Sequence, residues 1–205
     1  MINSLSLLAG REGVNEEFGR PQCLYAGFDP TADSLHFGNL LVLTTLLRFL
    51  RDGHQVICLI GDATVRIGDP SDKYSERPSI DPDTVEFNAN KISATISSIF
   101  ANHYKYFWKH DKATANLPIH EPIIVRNLNW YRELNVIDFF SNVGKAIRLT
   151  SLLSKKFVEQ RADAHLGLSY SEFSYQIFQS YDWFHLLNKY NCRFQVRCSL
   201  RCVSI

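Results

Sequence analysis

Residues 25–39 read YAGFDPTADSLHFGN, and this stretch predicts a strand, a turn and the start of a helix. The apolar residues 24–28 form the strand, which ends at Asp29 and Pro30 because proline fixes φ and lacks a backbone donor. Residues 40–50 are mostly apolar and contain neither glycine nor proline, as is typical of a buried helix. The stretch therefore predicts the first half of a βαβ unit.

The start of this helix is a candidate site for an anion such as phosphate. Free backbone N–H groups and the positive end of the helix dipole attract negative charge, and Gly38 allows a ligand to lie close to the backbone. His36 lies at the same position. A second interpretation stays open on the local pattern alone, in which the histidine only caps the helix or packs beside it.

The order of the remaining elements predicts an α/β domain. Residues 55–61 read as a buried parallel strand, and a charged loop that contains glycine follows over residues 62–79. Asp81 and Pro82 predict the start of a helix, and residues 123–127 form a further short strand. Alternating strands and helices predict a parallel sheet, with its ligand site at the carboxyl edge near the switch in strand order.

The composition is that of a globular domain. Of the 205 residues, 45% are hydrophobic and 21% are charged, and a net charge of +1 gives no overall field that would attract nucleic acid. The five cysteines form no Cys-x-x-Cys pair, so we expect reduced thiols and no metal site. No apolar run predicts a membrane span, and the acidic residues near the start are unlike a transit peptide.

Three polar residues share one face of the last predicted helix, over residues 169–190. Tyr175, Gln179 and Asp182 are spaced i, i+4 and i+7, which places them in one line along the helix. Most of their neighbours are apolar, so these polar groups need partners in the folded protein. An internal hydrogen-bond network and a site for a small polar ligand would both meet this need.

Three motifs together resemble those of the bacterial-type tyrosyl-tRNA synthetases, a class I aminoacyl-tRNA synthetase family. Residues 27–36 read GFDPTADSLH, and residues 36–39 resemble the His-x-Gly-His nucleotide-binding motif, with Asn39 in place of the second histidine. Residues 68–73 resemble the segment Gly-Asp-Pro-Ser-Gly-Lys, and residues 172–175 resemble the tyrosine-binding helix. The resemblance is greatest to the mitochondrial branch, and it implies a Rossmann-like parallel sheet with helices on both faces.

The resemblance implies roles for individual residues. Those implied to bind tyrosine are Tyr25, Asp69, Asn127, Tyr175, Gln179 and Asp182. Those implied to bind ATP are Gly27, Asp29, Thr31, His36, Gly38 and Asn39. Those implied to be catalytic, by stabilising charge in the transition state, are His36, Asn39, Lys73 and Arg77. Tyr175, Gln179 and Asp69 would hold the substrate ammonium group.

Tyr25 and Asp182 are implied to hold the phenolic hydroxyl of the substrate. Phenylalanine would leave both groups unpaired, which would select against it. Two of the implied roles have alternative explanations from the residues themselves. The charged segment 67–77 also fits a solvated turn, and Asn127, at the end of a strand, also fits a turn former.

The resemblance also implies the partners of the reaction. These are tyrosine, ATP as its Mg²⁺ complex and, in the full-length protein, tRNA(Tyr), with no prosthetic group. A homodimer is implied through a helical insertion near residues 128–160. Residues 135–153 carry many apolar side chains, which fit either this interface or core packing. The mitochondrial matrix is the implied location.

The sequence departs from the family in places. Asp62 stands where the family usually has glycine, and residues 197–205 replace a glycine-rich nucleotide loop. We therefore expect residues 1–196 to form a partial catalytic domain, incomplete at its C-terminus, with a divergent tail and no anticodon-binding domain.

Two hypotheses for the function stay open. One is a tyrosine–tRNA ligase by resemblance, with weak or no activity in this chain. The other is a non-catalytic fragment of the full-length enzyme that binds tyrosine or dimerises. A dinucleotide-dependent enzyme is disfavoured, because no Gly-x-Gly-x-x-Gly follows an early strand.

Overall fold

The computed structural model describes residues 19–69, 79–110, 120–153, 158 and 167–197. Within these residues, four strands form one parallel sheet in the order β3-β2-β1-β4. The strands are β1 (Cys23–Phe28), β2 (Gln55–Ile60), β3 (Ile123–Arg126) and β4 (Phe194–Gln195). The α-helices are α1 (Phe37–Arg51), α2 (Thr64–Ile67), α3 (Pro82–Tyr106), α4 (Leu128–Tyr131), α5 (Val136–Asp138), α6 (Leu149–Leu153) and α7 (Tyr170–Tyr190). The predicted α/β fold with a parallel sheet is confirmed.

The two central strands of the sheet, β1 and β2, are buried on both faces. Alternate strand residues pack with α1 and α3 on one face, and these are Leu24, Ala26, Phe28, Val56, Cys58 and Ile60. On the other face, strand residues pack with the end of α7, and the buried members of this cluster are Cys23, Tyr25, Ile57, Leu59, Leu186 and Cys192. Burial on both sides explains why the strands read as continuous apolar runs.

The connection from β1 to α1 has the predicted order of strand, turn and helix. In the turn, the Thr31 N–H donates to the Asp29 carbonyl oxygen at 2.8 Å. α1 begins at Phe37, between the histidine and the glycine predicted for its start. The side chains of His36 and Asn39 cap its first turn. β1, α1 and β2 then form the predicted βαβ unit.

The segment after β2 differs in part from the predicted loop. The short helix α2 lies within it, so the prediction of a loop is wrong there. Gly68 ends α2 with a φ of 91°, a conformation that glycine adopts without steric cost. The Ser171 hydroxyl donates to the Ile67 carbonyl oxygen at 3.0 Å and so ties the end of α2 to α7. Residues 70–78 of the predicted loop lie outside the described residues.

The two longest described helices begin where the sequence predicts them, and each begins after a capping residue. The Asp81 carboxylate accepts from the N–H groups of Asp83 and Thr84, both at 3.1 Å, at the start of α3. At the start of α7, the Ser169 hydroxyl accepts from the Glu172 N–H at 3.2 Å, and the Glu172 carboxylate accepts from the Ser169 N–H at 3.4 Å. Each cap satisfies backbone donors that have no partner within the helix.

Residues 136–153 are helical, as predicted for residues 135–153, except for a break at residues 147–148. α5 is capped by the Asn135 side chain, which accepts from the Ile137 N–H at 2.8 Å. A π-helical turn over Phe139–Gly144 follows, and α6 begins after a break. Helical conformation continues through Gly144 to residue 146.

The end of α7 returns the chain to the sheet. Asn191 has a φ of 53°, and this left-handed conformation ends the helix. The Val196 N–H then donates to the Tyr25 carbonyl oxygen at 2.8 Å, and β4 pairs with β1. As a result, Gln195 lies opposite Tyr25 in the parallel register.

Candidate active site

A small cleft lies at the carboxyl side of the sheet, between β1, β2, β4 and α7. This is the switch in strand order at which the ligand site was predicted. Its lining includes six residues that were predicted to bind tyrosine or ATP, namely Tyr25, Gly27, Asp29, Tyr175, Gln179 and Asp182. Leu59, Gly61, Thr64 and Gln195 complete it. The helical line of polar residues on α7 therefore borders a cavity.

The Asp182 carboxylate is 3% exposed and receives hydrogen bonds from three side chains. Asn127 Nδ2 donates to Oδ2 at 3.0 Å, and Trp130 Nε1 donates to Oδ1 at 3.0 Å. The Tyr131 hydroxyl lies 2.7 Å from Oδ1 and 2.9 Å from the Phe178 carbonyl oxygen, and its single proton favours the charged acceptor. Because a carboxylate has about four acceptor positions, one remains on Oδ2 for a ligand.

Burial raises the pKa of Asp182 to about 6. The hydrogen bonds from Asn127, Tyr131 and Trp130 stabilise the charged form and oppose this rise, but removal from water has the larger effect. Burial, followed by the adjacent carboxylate, also raises the pKa of Tyr131. Asp182 is therefore charged at neutral pH and takes up a proton in mildly acidic solution.

The Tyr25 hydroxyl is buried and makes no hydrogen bond with the described residues. Burial is the main cause that raises the pKa of Tyr25, and the charge of Asp182 is the next. The nearby Gln195 side chain lowers the pKa of Tyr25, but it makes no hydrogen bond with the Tyr25 hydroxyl. An unpaired buried hydroxyl costs roughly 1 to 3 kcal/mol, so this group calls for a polar partner from a ligand.

Asn127 is completely buried and joins the ends of β2 and β3. Its Oδ1 accepts from the Ala63 N–H at 2.7 Å, while Nδ2 donates to Thr64 Oγ1 at 3.0 Å as well as to Asp182. The backbone of Asn127 forms the turn between β3 and α4, while its side chain makes no cap for α4 and points its hydrogen bonds elsewhere. Asn127 orients Asp182, whereas its own contact with tyrosine stays a prediction.

The start of α1 carries a reciprocal cap made by His36 and Asn39. His36 Nδ1 accepts from the Asn39 N–H at 3.3 Å, and Asn39 Oδ1 accepts from the His36 N–H at 3.1 Å. The histidine therefore does cap the helix. Because Nδ1 accepts, the ring proton is assigned to Nε2, and Asn39 Nδ2 remains a second donor. With no acidic residue in the first turn, this end of α1 favours an anion.

The other predicted site residues lie in several places. Thr31 is exposed in the turn after β1, and Gly38 is buried in the first turn of α1. Asp69 is partly buried just after α2. Lys73 and Arg77 lie outside the described residues.

Two glycines shape the cleft in different ways. A Cβ atom on Gly61 would collide with the Asp29 carboxylate and the Thr64 hydroxyl, so this position requires glycine or a shift of both groups. A Cβ atom on Gly27 would meet nothing within 4 Å. A methyl group at Gly27, unlike one at Gly61, would therefore displace no neighbour.

An ion pair between a buried carboxylate and a partly exposed arginine lies beside the cleft, and sequence reasoning missed it. Asp62 is 0% exposed, and Arg126 Nε donates to its Oδ2 at 2.6 Å. Arg126 Nη1 and Nη2 donate to the two Glu86 carboxylate oxygens at 2.8 and 2.6 Å. The hydrogen bond from Arg126 lowers the pKa of Glu86. This pairing explains how a carboxylate is accommodated in a completely buried position.

Three further observations concern metals, membranes and thiols. The described part of the chain holds no group of three or more His, Cys, Asp or Glu side chains able to bind a metal ion. None of its helices is long and apolar enough to cross a membrane. Cys23, Cys58 and Cys192 are buried free thiols, while Cys198 and Cys202 lie outside the described residues.

Comparison with known protein families identifies the class that this fold and cleft represent. The model of the family described as "tRNA synthetases class I (W and Y)" matches residues 17–194. The chain therefore belongs to the class I tRNA synthetases of this family, and the resemblance read from its motifs is confirmed.

Individual relatives in this family are mitochondrial tyrosine–tRNA ligases. The Drosophila melanogaster protein is 46% identical over 175 residues, which are 85% of this chain and 37% of the relative. The Homo sapiens protein is 39% identical over 176 residues, which are 86% of this chain and 36% of the relative. The chain thus spans about a third of the length of these relatives.

Two solved structures have the same fold. Both are C-terminally truncated mitochondrial tyrosyl-tRNA synthetases, from Aspergillus nidulans and Coccidioides posadasii. Their TM-scores are 0.76 and 0.77 at 25% and 26% sequence identity. The matches cover 91% and 94% of this chain and 51% and 53% of the solved chains. The Rossmann-like fold is therefore confirmed.

Proposed function

We propose that this chain forms the tyrosine- and ATP-binding part of a tyrosine–tRNA ligase. The observation that supports this most is the unpaired Tyr25 hydroxyl in the same cleft as Asp182, whose Oδ2 has one acceptor position left. A phenolic hydroxyl can accept from Tyr25 and donate to Asp182 at once. Phenylalanine would leave both groups without partners in a buried place.

The same cleft offers groups for the amino-acid end of tyrosine. Tyr175 and Gln179 precede Asp182 by two turns and one turn of α7, so they lie in line from the proposed phenol position toward the start of the helix. We propose that they hold the substrate ammonium group together with Asp69. Asn127 then acts in recognition through its hydrogen bond to Asp182.

ATP is proposed to bind at the start of α1 as its Mg²⁺ complex. His36 Nε2–H and Asn39 Nδ2–H would donate to phosphate oxygens, with Gly27, Asp29, Thr31 and Gly38 as the neighbouring contacts. In the proposed reaction, a tyrosine carboxylate oxygen attacks the α-phosphorus, and the bond to pyrophosphate breaks. A ribose hydroxyl of tRNA(Tyr) then attacks the tyrosyl carbonyl carbon and AMP leaves.

The protein contributes position and charge stabilisation to this reaction. The donors of His36 and Asn39 are fixed in advance because the same side chains cap α1. Lys73 and Arg77 are proposed to stabilise the negative charge of the leaving pyrophosphate. We propose residues 1–196 as the partial catalytic domain, residues 197–205 as a tail outside it, and weak or no activity for the chain alone.

The test is tyrosine-dependent exchange of labelled pyrophosphate into ATP, measured beside equilibrium binding of tyrosine. We expect saturable tyrosine binding, with exchange far slower than that of a full-length relative. Exchange at the rate of a complete enzyme would show that the chain is fully competent. A chain that binds neither tyrosine nor ATP would contradict the proposed function.

Mild acid is expected to act in opposite directions on tyrosine binding and on stability. The pKa of Asp182 is about 6 in the folded chain, against an ordinary value of 3.8. Because the folded chain holds this proton more tightly than the unfolded chain, protonated Asp182 stabilises the fold by about 3 kcal/mol below pH 4. This stabilisation is lost as the pH rises through about 6. Tyrosine binding should instead weaken below pH 6, because a protonated carboxyl is a poorer acceptor.

Two titrations check this expectation. Tyrosine affinity and the free energy of unfolding in urea are measured in parallel over the range from acid to neutral pH. The urea data are compared with those of Asp182→Asn, which cannot titrate at this position and so reports the background from all other groups. Tyrosine affinity that is unchanged across this range would contradict a role for the charged carboxylate.

A homodimer is proposed through the segment near residues 128–160. Val136, Ile137 and Phe140 are 61%, 70% and 49% exposed, so this segment presents a large apolar surface. Phe140→Asp is expected to shift a sedimenting dimer to monomer. Phe87→Asp, at a phenylalanine that is 53% exposed on α3, is the matched control and should leave the dimer intact. A monomeric unaltered chain would contradict the interface.

Location and the RNA partner are proposed from the relatives alone. Relatives from the fly and from human are named mitochondrial. We propose that this chain acts in the mitochondrial matrix and that tRNA(Tyr) is a partner of the full-length protein.

A further inference from the structure

The segments that follow β2 and β3 bind each other through a reciprocal pair of hydrogen bonds. Asp62 Oδ1 accepts from the N–H of Leu128, the first residue of α4, at 3.0 Å. Asn127 Oδ1 accepts from the N–H of Ala63 at 2.7 Å. Each segment thus supplies a buried side-chain acceptor to the backbone of the other, which fixes the two segments relative to each other.

Arg126 forms an ion pair with Asp62 and also connects it to the helix α3. The carboxylate is completely buried, and its position is stable only with a charged partner. Arg126 fills this role from the end of β3 and also binds both carboxylate oxygens of Glu86 on α3. Arg126 Nη1 lies 3.3 Å from Asn90 Oδ1 on the same helix. We call Asp62, Arg126 and Glu86 the Asp62 brace.

The brace holds the element that supplies two donors to Asp182. α4 has only four residues, and a helix of this length does not form by itself. Yet Trp130 and Tyr131, both in α4, donate to Asp182 Oδ1 at 3.0 and 2.7 Å. The contact that fixes the first residue of α4 therefore also sets where these donors lie.

We infer that Asp62 is a positioning residue that sets the selectivity of the cleft for a phenol over an unsubstituted ring. The inference rests on the proposed function, because it assigns a role in tyrosine recognition. When the brace holds α4, three donors fix Asp182 and leave its last acceptor position directed at the ligand. When the brace is broken, α4 moves and this position is no longer fixed. The loss falls on tyrosine more than on phenylalanine.

The test compares tyrosine and phenylalanine affinities in Asp62→Asn, which keeps the side-chain volume but weakens the pairing with Arg126. We expect the ratio of the two affinities to fall about tenfold, since small misplacements of binding groups have effects of at least this size. His54→Ala is the control, because it removes a buried hydrogen-bond acceptor just before β2, at the opposite end of that strand from the cleft. It should lower stability and leave the ratio unchanged.

A second readout needs no ligand. The NMR signal of the Trp130 indole N–H reports its hydrogen bond to Asp182, and in the unaltered chain it should shift as the pH falls through about 6. In Asp62→Asn this shift should shrink or vanish. If that variant does not fold, Glu86→Gln at the outer, half-exposed end of the brace should change both readouts in the same direction by less.

The outcomes separate the two proposals. A folded Asp62→Asn with an unchanged affinity ratio and an unchanged Trp130 signal would overturn the inference while the proposed function stands. If only Glu86→Gln folds, an unchanged affinity ratio and an unchanged Trp130 signal in that variant would likewise overturn the inference. An unaltered chain that does not bind tyrosine would overturn the proposed function and, with it, the role of Asp62 in selectivity.

Discussion

Asp182→Ala is expected to weaken tyrosine binding by about 10- to 100-fold, because a hydrogen bond to a charged acceptor contributes about 1.5 to 3 kcal/mol. Phenylalanine has no hydroxyl group and does not form this hydrogen bond, so its affinity should change much less. Calorimetric titration of both amino acids at neutral pH measures the two changes in one preparation. Equal losses for the two ligands would mean that Asp182 has only a structural role.

A double variant that exchanges the residues at positions 182 and 127 separates the effect on tyrosine recognition from the effect on stability. Asp182→Ala leaves the donors of Asn127, Trp130 and Tyr131 unpaired, which also destabilises the fold. In the double variant Asp182→Asn with Asn127→Asp, the carboxylate at position 127 can accept from the Ala63 N–H and from the amide at position 182. The amide oxygen at position 182 can still accept from the Trp130 indole and the Tyr131 hydroxyl. We expect unfolding in urea near that of the unaltered chain, with tyrosine binding still weak.

Tyr25→Phe is expected to stabilise the free chain and to weaken tyrosine binding. The substitution removes a buried hydroxyl that has no partner among the described residues, which should raise the free energy of unfolding by about 1 kcal/mol. The same substitution removes a donor to the proposed ligand hydroxyl, so tyrosine affinity should fall by about tenfold. Urea unfolding and calorimetric titration measure the two effects.

Tyr131→Phe is the matched control for this prediction. It makes the same chemical change at a hydroxyl that does have a partner, the Asp182 carboxylate at 2.7 Å. It should therefore lower the free energy of unfolding, the opposite sign to Tyr25→Phe. If both variants lose stability equally, the Tyr25 hydroxyl has a partner in solution and is not held ready for a ligand.

The elements that could be predicted from the sequence depend on local chemistry. β1 ends two residues before a proline that cannot continue the ladder, and α3 and α7 begin at side chains able to cap them. α2 could not be predicted, because a helix of four residues depends on contacts made elsewhere, such as that of Ser171 with Ile67. The placement of the two-residue β4 likewise depends on pairing with Tyr25, far away in the chain.

In the candidate site, too, residues placed by local structure could be predicted and residues placed by distant contacts could not. Tyr175, Gln179 and Asp182 were found because a helix converts a spacing along the chain into a shared face. The Asp62–Arg126 pair was missed, although charged residues at the carboxyl ends of adjacent parallel strands meet at one edge. That signal could have found it. The donors on α4 could not be assigned, since the direction of a short turn is set by its anchors.

The cap at the start of α1 has a chemical consequence for any ligand there. His36 uses its Nδ1 lone pair within the cap, so an incoming molecule meets an N–H group and no available electron pair. This arrangement favours oxyanions and disfavours electron-pair acceptors such as transition-metal ions. A ligand that required Nδ1 would first have to uncap the helix, at a cost of about 1 kcal/mol. The fold therefore decides the type of bond that His36 can offer.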